Sequence, residues 1–277
     1  MNSYYKKKVC VVTGAASGIG AAICEQLIQN GSVVVALDIN EAGLEKLVAK
    51  GQATSSIVAD VTDFNAIEAA AKQILAEHGH INIWFNNVGV AMVGELHNVS
   101  LKQFEQILDV NLRGQLNGIY AVYPHMVDQG DGQVVNVGSI AGVLPSPFQI
   151  PYVTSKHALT GLSLALRMEA KGLGIKVNLV CPGGVDTDIW ESAHIIGSPI
   201  TSPTELKSLF FWRPKLLSSS DAAIRILRGV KKNHPVIFTD AYTKTFWFIN
   251  RLFPRFWLWL YERHTTKVFR NKSVVDV

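Results

Sequence analysis

The chain has 277 residues, of which 48% are hydrophobic and 17% charged, and these values predict one soluble-type domain with a full core. The net charge of +4 is modest, and the basic residues are scattered until about the last thirty positions, so nucleic-acid binding has little support. The eight histidines show no metal-ligand spacing, and Cys10, Cys24 and Cys181 suit reduced thiols of a cytoplasmic protein better than disulfides.

The first recognisable unit is a strand, a glycine loop and a helix. Val9 to Val12 is apolar and mostly β-branched, and the run T-G-A-A-S-G-I-G follows from Thr13 to Gly20 before a helical pattern. Glycines let the backbone approach a pyrophosphate, and the free N–H groups at a helix start favour its negative charge. A purely structural turn is the alternative, but the flanking strand and helix favour nucleotide binding. The candidate residues are Gly14, Ser17, Gly18, Ile19 and Gly20.

The second predicted strand, Ser32 to Leu37, ends in an acidic residue, Asp38. A carboxylate there accepts hydrogen bonds from the adenosine ribose hydroxyls and repels a 2′-phosphate. No arginine or lysine lies in the glycine loop or at Ile39, so NAD is favoured over NADP. Asp38 as the N-cap of the next helix is a weaker alternative, because Asn40 is better placed for that role.

Strand-like and helical segments alternate through most of the chain. Further strands are predicted at Ser55 to Ala59, Ile81 to Phe85, Gln133 to Val137, Ile175 to Val180 and Val236 to Phe238. Helices are predicted from a cap at Thr62 or Asp63 to about His78, over Leu101 to Asp109, Asn111 to Val127 and Ile150 to Lys171, and from Ser220 or Asp221 through Val230. This alternation predicts an α/β fold of the Rossmann type: a doubly wound parallel sheet of about seven strands with helices on both faces, in a single domain.

A candidate catalytic pair lies on the helix from Ile150 to Lys171. Tyr152 and Lys156 are four residues apart and therefore share one face of the helix. A lysine cation about 4 Å away favours a phenolate by roughly 4 kcal/mol before desolvation, so we expect it to lower the pKa of Tyr152 and to ready the phenol for proton transfer. An ordinary exposed pair is the alternative. Ser139, thirteen residues before Tyr152, and the glycine loop favour catalysis.

These motifs resemble those of the classical short-chain dehydrogenase/reductase family, whose glycine loop has the form T-G-x-x-x-G-x-G. The family's catalytic tetrad is matched by Asn111, Ser139, Tyr152 and Lys156. The resemblance implies hydride transfer between C4 of nicotinamide and a carbinol carbon. Tyr152 would be the general acid/base, Ser139 would hold the substrate oxygen, Lys156 would lower the phenol pKa and bind the ribose, and Asn111 would anchor a proton-relay water.

The resemblance also implies cofactor contacts at the ends of later strands. Asp60-Val61 matches a pair at the adenine ring, and Asn86-Asn87-Val88-Gly89 stands where the family usually has N-N-A-G. In the P-G-x-x-x-T motif, the threonine contacts the nicotinamide carboxamide. The implied cofactor-binding residues are Asp60, Val61, Asn87, Pro182, Gly183, Val185 and Thr187, together with Tyr152 and Lys156.

A long segment from about 188 to 220 has no clean period and is rich in Ser, Pro and aromatic residues. Loops of this length in compact domains are usually functional, so we expect a substrate lid, although a packed surface excursion is the alternative. Its apolar lining would be Leu209, Phe210, Phe211 and Trp212. The dinucleotide-binding domain would then span residues 1–240, and residues 241–277 would form a C-terminal extension.

The extension carries an aromatic run interrupted by Asn250, Arg251, Pro254 and Arg255, which is too broken to span a bilayer. Its aromatic and basic residues could lie at a membrane surface, giving a peripheral membrane protein. They could instead close the substrate pocket or lie in a subunit interface. Both possibilities remain open. By resemblance to the family, we also expect a homodimer or homotetramer built on the helices from Asn111 and Ile150.

The predicted function is an NAD-dependent oxidoreductase that interconverts a hydrophobic secondary alcohol and its ketone, with a steroid, a retinoid or a long-chain molecule as substrate. A catalytically silent NAD-binding regulator on the same fold is the alternative. An epimerase or dehydratase of the extended relatives is disfavoured, since their loop typically reads T-G-x-x-G-x-x-G and this chain has Ser17 at the fifth position.

Overall fold

The computed structural model describes residues 2–197, 202, 205 and 216–272, and its main feature is a parallel sheet. The strands in chain order are β1 Val9–Thr13, β2 Val33–Asp38, β3 Ser55–Val58, β4 Ile83–Asn86, β5 Met92–Gly94, β6 Gly132–Val137, β7 Ile175–Cys181, β8 Val185–Asp186, β9 His194–Ile196, β10 Leu217–Ser218 and β11 Val236–Phe238. The described α-helices are α1 Asn2–Tyr5, α2 Gly18–Gln29, α3 Glu41–Ala49, α4 Phe64–His78, α5 Leu101–Leu108, α6 Gly114–Gln129, α7 Ile150–Ala170, α8 Ser219–Lys231, α9 Ala241–Leu252 and α10 Pro254–Lys272.

The seven-stranded sheet has the order β11-β7-β6-β4-β1-β2-β3, and every neighbouring pair is parallel. The chain runs outward from β1 to β3 and then crosses to the other side of β1 at β4. This arrangement confirms the predicted doubly wound α/β fold in a single domain. A crevice forms at the carboxyl ends of the strands where the order reverses, and open α/β sheets bind ligands at this point.

Helices cover both faces of the sheet, which explains why β1, β2, β4 and β7 are mostly apolar runs rather than alternating patterns. Every residue of β1, β4 and β6 is buried. One core cluster packs α2 and α8 against the sheet, and the other packs α4 and α6 against its opposite face. Representative members are Ile23, Leu27, Ile226 and Leu227 in the first cluster, and Ile67, Ile74, Ile119 and Val122 in the second.

The break predicted between the helices around Asn111 is wrong. Residues Asp109–Arg113 form a π-helical turn that joins α5 to α6 without interruption. A π turn inserts one residue into a continuing helix, so it leaves no polar or glycine break in the sequence pattern. Its effect is local: it sets the direction of the Asn111 side chain.

The long segment predicted as a lid is attached to the domain at both of its described ends. The strand β9 pairs with β5, and β10 pairs with β8. These two short ladders were not predicted, because two- and three-residue strands carry too little periodicity to detect. The predicted lining residues Leu209, Phe210, Phe211 and Trp212 lie outside the described residues.

The C-terminal extension forms two helices, α9 and α10. Asp240 caps α9 by accepting a hydrogen bond from the Thr243 backbone N–H at 2.8 Å, and Pro254 occupies the first position of α10. In the described part of the chain, no helix combines the length and apolar character needed to cross a membrane.

A chain of buried polar side chains connects the sheet to helix α7. Trp84 Nε1 donates to Asn86 Oδ1 at 2.7 Å, and Asn86 Nδ2 donates to Asn136 Oδ1 at 2.9 Å. Asn136 Nδ2 then donates to Ser163 Oγ at 2.9 Å, on α7. Because these groups are almost completely buried, each one depends on its neighbour for a partner.

We predict that Asn136→Leu destabilises the protein by about 2 kcal/mol, because it leaves the buried Asn86 amide without an acceptor. The measurement is the urea midpoint of the variant against that of the wild type. Asn65→Leu, at an exposed position on α4, is the control and should change stability by less than about 0.5 kcal/mol. An Asn136→Leu protein as stable as this control would show that the polar chain contributes nothing.

Candidate active site

A cavity of about 340 Å³ lies at the carboxyl ends of the central strands. Its wall is built from the glycine loop, the ends of β4, β6 and β7, the first turns of α7, and residues of α9 and α10. The predicted residues Gly14, Ser17, Gly18, Ile19, Asp38, Asn87, Ser139, Tyr152, Lys156, Pro182, Gly183, Val185 and Thr187 all line it. The glycine loop and the Tyr152 region, which are far apart in sequence, therefore face a single space.

The glycine loop has a backbone that other residues adopt only with strain. Gly14 and Gly18 have φ angles of +64° and +53°. A Cβ on Gly20 would lie 2.0 Å from the Gly14 carbonyl oxygen, so Gly20 allows α2 to start directly against the loop. The Ser17 N-cap makes no side-chain hydrogen bond to α2, and the N–H groups of its first turn remain available for an anion.

Asp38 holds the loop and also faces the cavity. Its Oδ2 accepts from the Ala16 N–H at 3.0 Å, and its Oδ1 accepts from the Asn40 N–H at 2.9 Å. Asn40 is the N-cap of α3, as predicted, and accepts from the Gly43 N–H at 3.0 Å. Asp38 is therefore free of the capping role and presents its carboxylate at the end of β2.

Asn87 and Thr187 contact the loop from its other sides. Asn87 Nδ2 donates to the carbonyl oxygens of Thr13 and Gly14, both at 3.2 Å. The Thr187 methyl group lies over Gly18, so that a Cβ added there would be 3.2 Å away from it. These contacts fix the loop against the ends of β4 and β8.

Three predicted cofactor residues, Gly20, Asp60 and Val61, do not line the cavity. Asp60 is exposed and its Oδ1 accepts from the Thr62 N–H at 2.8 Å, whereas Val61 is 8% exposed and packs near Gly114. Both lie at the turn after β3, beyond the wall. Gly20 also stays outside the wall because it supports the loop from beneath.

The tetrad residues come together around the end of β6. Lys156 is buried, its Nζ donates to the Val137 carbonyl oxygen at 3.0 Å, and the same Nζ lies 5.6 Å from the centre of the Tyr152 ring. Ser139 follows β6 and caps a short 3₁₀ turn through the Ala141 N–H at 3.1 Å. Tyr152, Ser139 and Lys156 thus face one end of the cavity.

Asn111 lies behind the cavity wall rather than on it. Its side chain exchanges two hydrogen bonds with the Val90 backbone, at 2.8 and 2.9 Å, and its Nδ2 also donates to Ser155 Oγ at 3.2 Å. The π turn directs this amide inward, where it ties the chain after β4 to helix α7.

The predicted lowering of the Tyr152 pKa is wrong for the protein without its cofactor. Burial raises the pKa of Tyr152, and a hydrogen bond with Ser139 opposes this rise only in part. Burial also lowers the pKa of Lys156 to about 8. Desolvation dominates because Lys156 is buried and the half-buried Tyr152 lines the cavity wall beside it, which the sequence could not show.

Four aromatic residues of the C-terminal helices also line the cavity: Tyr242, Phe246, Trp257 and Tyr261. Ring centres are 4.9 Å apart for Phe246 and Trp257, and 5.3 Å apart for Trp257 and Tyr261. The pocket-closing alternative is therefore correct for these four. The i, i+4 spacing of Tyr242 with Phe246, and of Trp257 with Tyr261, was the signal that could have identified them.

Trp257 is distinctive because its indole N–H is buried without an acceptor among the described residues. The side chain is only 3% exposed. A buried donor of this kind is rare in native structures and calls for a partner beyond the described residues.

Comparisons with known proteins agree with this geometry. A family model described as short chain dehydrogenase matches residues 8–195. The chain is 34% identical over 188 residues to the 3-oxoacyl-(acyl-carrier-protein) reductase FabG of Thermotoga maritima, covering 66% of this chain and 76% of that protein. It is 36% identical over 188 residues to the 2-(R)-hydroxypropyl-CoM dehydrogenase of Xanthobacter autotrophicus, covering 65% of this chain and 75% of that protein. The crystal structure of a short chain dehydrogenase/reductase from Burkholderia phymatum in complex with NAD superposes with a TM-score of 0.80 at 26% identity, covering 89% of this chain and 94% of that one.

We predict that Lys156→Met makes the folded protein more stable at pH 7, because it removes a buried ammonium group. The pKa falls from 10.5 to about 8 on folding, so the cation opposes folding below pH 8, by up to about 3 kcal/mol. Between pH 8 and 10.5 the wild type releases this proton on folding and its stability rises, so the advantage of the variant should shrink. In the variant, the Val137 carbonyl oxygen still accepts a hydrogen bond, because Gln115 Nε2 donates to it at 3.2 Å.

Urea unfolding at several pH values between 7 and 10.5 tests this. Lys171→Met, at an exposed position just after α7, is the charge-matched control and should show no such pH-dependent advantage. A Lys156→Met protein that is less stable than the wild type at pH 7 would contradict the prediction.

Proposed function

Because this chain belongs to the short-chain dehydrogenase family, we propose that it is an oxidoreductase that transfers a hydride between NAD and a hydrophobic secondary alcohol or its ketone. The observation that carries this proposal is the single cavity in which Tyr152, Ser139 and Lys156 face the same space as the glycine loop. Bound NAD supplies the hydride acceptor, and NADH the donor.

The residues that would hold NAD are Gly14, Gly18, Asp38, Asn87 and Thr187. The open N–H groups at the start of α2 fit a pyrophosphate, and the Asp38 carboxylate at the end of β2 fits ribose hydroxyls. The same carboxylate repels a 2′-phosphate, which supports NAD over NADP. The exposed Asp60 and the buried Val61 lie outside the cavity wall, so they would contact only a part of the cofactor that extends beyond the cavity.

Tyr152 would exchange a proton with the substrate oxygen, and Ser139 would hold that oxygen by a hydrogen bond. The raised pKa of Tyr152 keeps its phenol protonated in the free protein, which suits proton donation to a ketone. Lys156 keeps a positive charge beside the ring at neutral pH, since its pKa is about 8. This charge favours the phenolate once Tyr152 has given up its proton.

Asn111 would act mainly through its position. Its amide is already bonded to the Val90 backbone and to Ser155 Oγ, so a proton-relay water anchored by Asn111 would have to share this amide with those partners. The side chain then fixes the distance between the loop after β4 and helix α7.

The substrate class follows from the rest of the cavity wall. Leu144, Trp190, Phe246 and Trp257 give it an apolar surface. The two relatives named above are a 3-oxoacyl reductase and a 2-hydroxypropyl dehydrogenase, names that denote ketone and secondary-alcohol chemistry. The Trp257 N–H, which has no acceptor among the described residues, would suit a substrate that also carries an acceptor oxygen away from its reacting carbon. A cytoplasmic location is supported by three buried free thiols, and cell fractionation would test it.

We predict that the wild type forms NADH from NAD with apolar secondary alcohols, and that Tyr152→Phe lowers kcat at least about 100-fold with NAD binding nearly unchanged. The assay uses a panel of such alcohols with NAD and NADP, together with a titration of NAD binding. Tyr120→Phe, at an exposed tyrosine of α6, is the control and should keep full activity.

Three results of this assay would contradict parts of the proposal. A Tyr152→Phe protein that keeps most of its kcat would contradict the catalytic assignment. A higher kcat/KM with NADP than with NAD would contradict the cofactor choice. NAD binding without turnover of any substrate in either direction would favour the silent regulator.

Helices α6 and α7 are the proposed subunit interface of a homodimer or homotetramer. Ala158, Gly161 and Ala165 are exposed on α7, and Met168 on the same helix is 75% exposed. The small residues therefore do not pack inside the monomer. We predict a dimer or tetramer by light scattering at micromolar concentration, and that Ala165→Glu dissociates it. A wild-type mass near 30.3 kDa would exclude this arrangement.

A further inference from the structure

Helices α9 and α10 have two apolar faces. The inner face carries Tyr242, Phe246, Trp257 and Tyr261, which line the cavity. The outer face is defined here as six exposed side chains: Phe248, Leu252, Phe253, Phe256, Leu258 and Trp259, each 47% to 60% exposed. Fifteen large hydrophobic residues are exposed in the described part of the chain, and six of them lie on this face, within twelve residues. Such concentration marks an interaction surface.

The same segment concentrates positive charge. Residues 241–272 contain seven lysines and arginines and one acidic residue, Glu262, whereas the whole chain has a net charge of only +4. The remainder of the protein is therefore slightly acidic. Among the described side chains, the Arg251 guanidinium lies 5.7 Å from the Trp247 ring centre, and that of Arg263 lies 5.6 Å from the Trp259 ring centre. One cation thus lies beside the exposed Trp259 ring of the outer face, and another lies beside the half-buried Trp247 ring.

Aromatic side chains with adjacent arginines are typical of segments that lie in the headgroup region of a bilayer. Aromatic rings favour the boundary between headgroups and acyl chains. Cations are attracted to anionic lipid headgroups, and at physiological ionic strength this attraction extends over a Debye length of about 8 Å. A second copy of this chain is less suitable, because a symmetric contact would bring the same cations together.

We propose that the outer face of α9 and α10 binds the surface of an anionic bilayer, and that a lipophilic substrate passes from the bilayer to the cavity along these two helices. The inner and outer faces belong to the same pair of helices, so a bound membrane would lie one helix layer from the cavity. The delivery of substrate rests on the proposed function, whereas binding to the bilayer does not.

The test is co-sedimentation of the full chain with vesicles of phosphatidylcholine, with and without phosphatidylserine, at low and high salt. We expect binding to the anionic vesicles that weakens with salt. The double variant Phe253→Gln and Phe256→Gln should reduce the bound fraction about tenfold. The control, Leu96→Gln and Leu101→Gln, changes two exposed leucines outside the outer face and should bind as the wild type does.

Two results would overturn the proposal. The first is absence of wild-type binding to anionic vesicles at low salt. The second is a loss of vesicle binding in the Phe253 and Phe256 variant that is accompanied by a fall in its mass by light scattering, since this would identify the outer face as a subunit contact.

Activity measurements separate this proposal from the proposed function. The Phe253 and Phe256 variant should turn over a short, water-soluble secondary alcohol at the wild-type rate, and should lose rate only with a long-chain alcohol dissolved in vesicles. Equal rates on the vesicle-borne alcohol would overturn the delivery step. Tyr152→Phe should still sediment with vesicles, so a failure of catalysis would leave membrane binding intact.

Discussion

The site depends on the burial of the Lys156 ammonium group. This cation is held at the end of β6 by the Val137 carbonyl oxygen, and two glycines provide room, Gly89 for the ammonium group and Gly142 for the backbone of α7. A Cβ on Gly89 would lie 3.2 Å from Nζ, and a Cβ on Gly142 would lie 2.6 Å from the Lys156 carbonyl oxygen. A larger residue at Gly142 would therefore push the α7 backbone away, whereas one at Gly89 would displace the Lys156 ammonium group. The position of Tyr152, one helical turn earlier, follows from the position of Lys156.

The architecture and much of the site could be predicted from the sequence. Strands buried on both faces appear as uninterrupted apolar runs, and the glycine loop and the Tyr152 to Lys156 spacing are set by local geometry. The order of the strands brought these distant motifs to one cavity, as the alternating pattern indicated. The N-cap of α3 was also assigned correctly to Asn40 rather than Asp38, because a capping contact involves only the first turn of a helix.

Other features depend on the environment of a residue and were not visible in its sequence. The direction of the Tyr152 pKa shift was predicted wrongly because a pair spacing gives proximity but not burial. The continuous helix through Asn111 was missed because a π turn does not interrupt an apolar pattern. The aromatic run after Asp240 gave two open alternatives, since only the folded helices show that Phe246 and Trp257 face inward while Phe253 and Phe256 face outward.

The strand β5 lies at the centre of several connections. Just before it, the Val90 backbone is clamped by Asn111, and the Ala91 carbonyl accepts from the His194 N–H at 3.1 Å. Within it, the Gly94 N–H donates to the Phe148 carbonyl oxygen at 2.7 Å, just before α7. The chain up to Ile196 is thereby fastened to the catalytic framework. A side chain at Gly94 would disturb this whole arrangement, because its Cβ would lie 2.5 Å from the Ile196 carbonyl oxygen and the Gly94 N–H holds the chain just before α7.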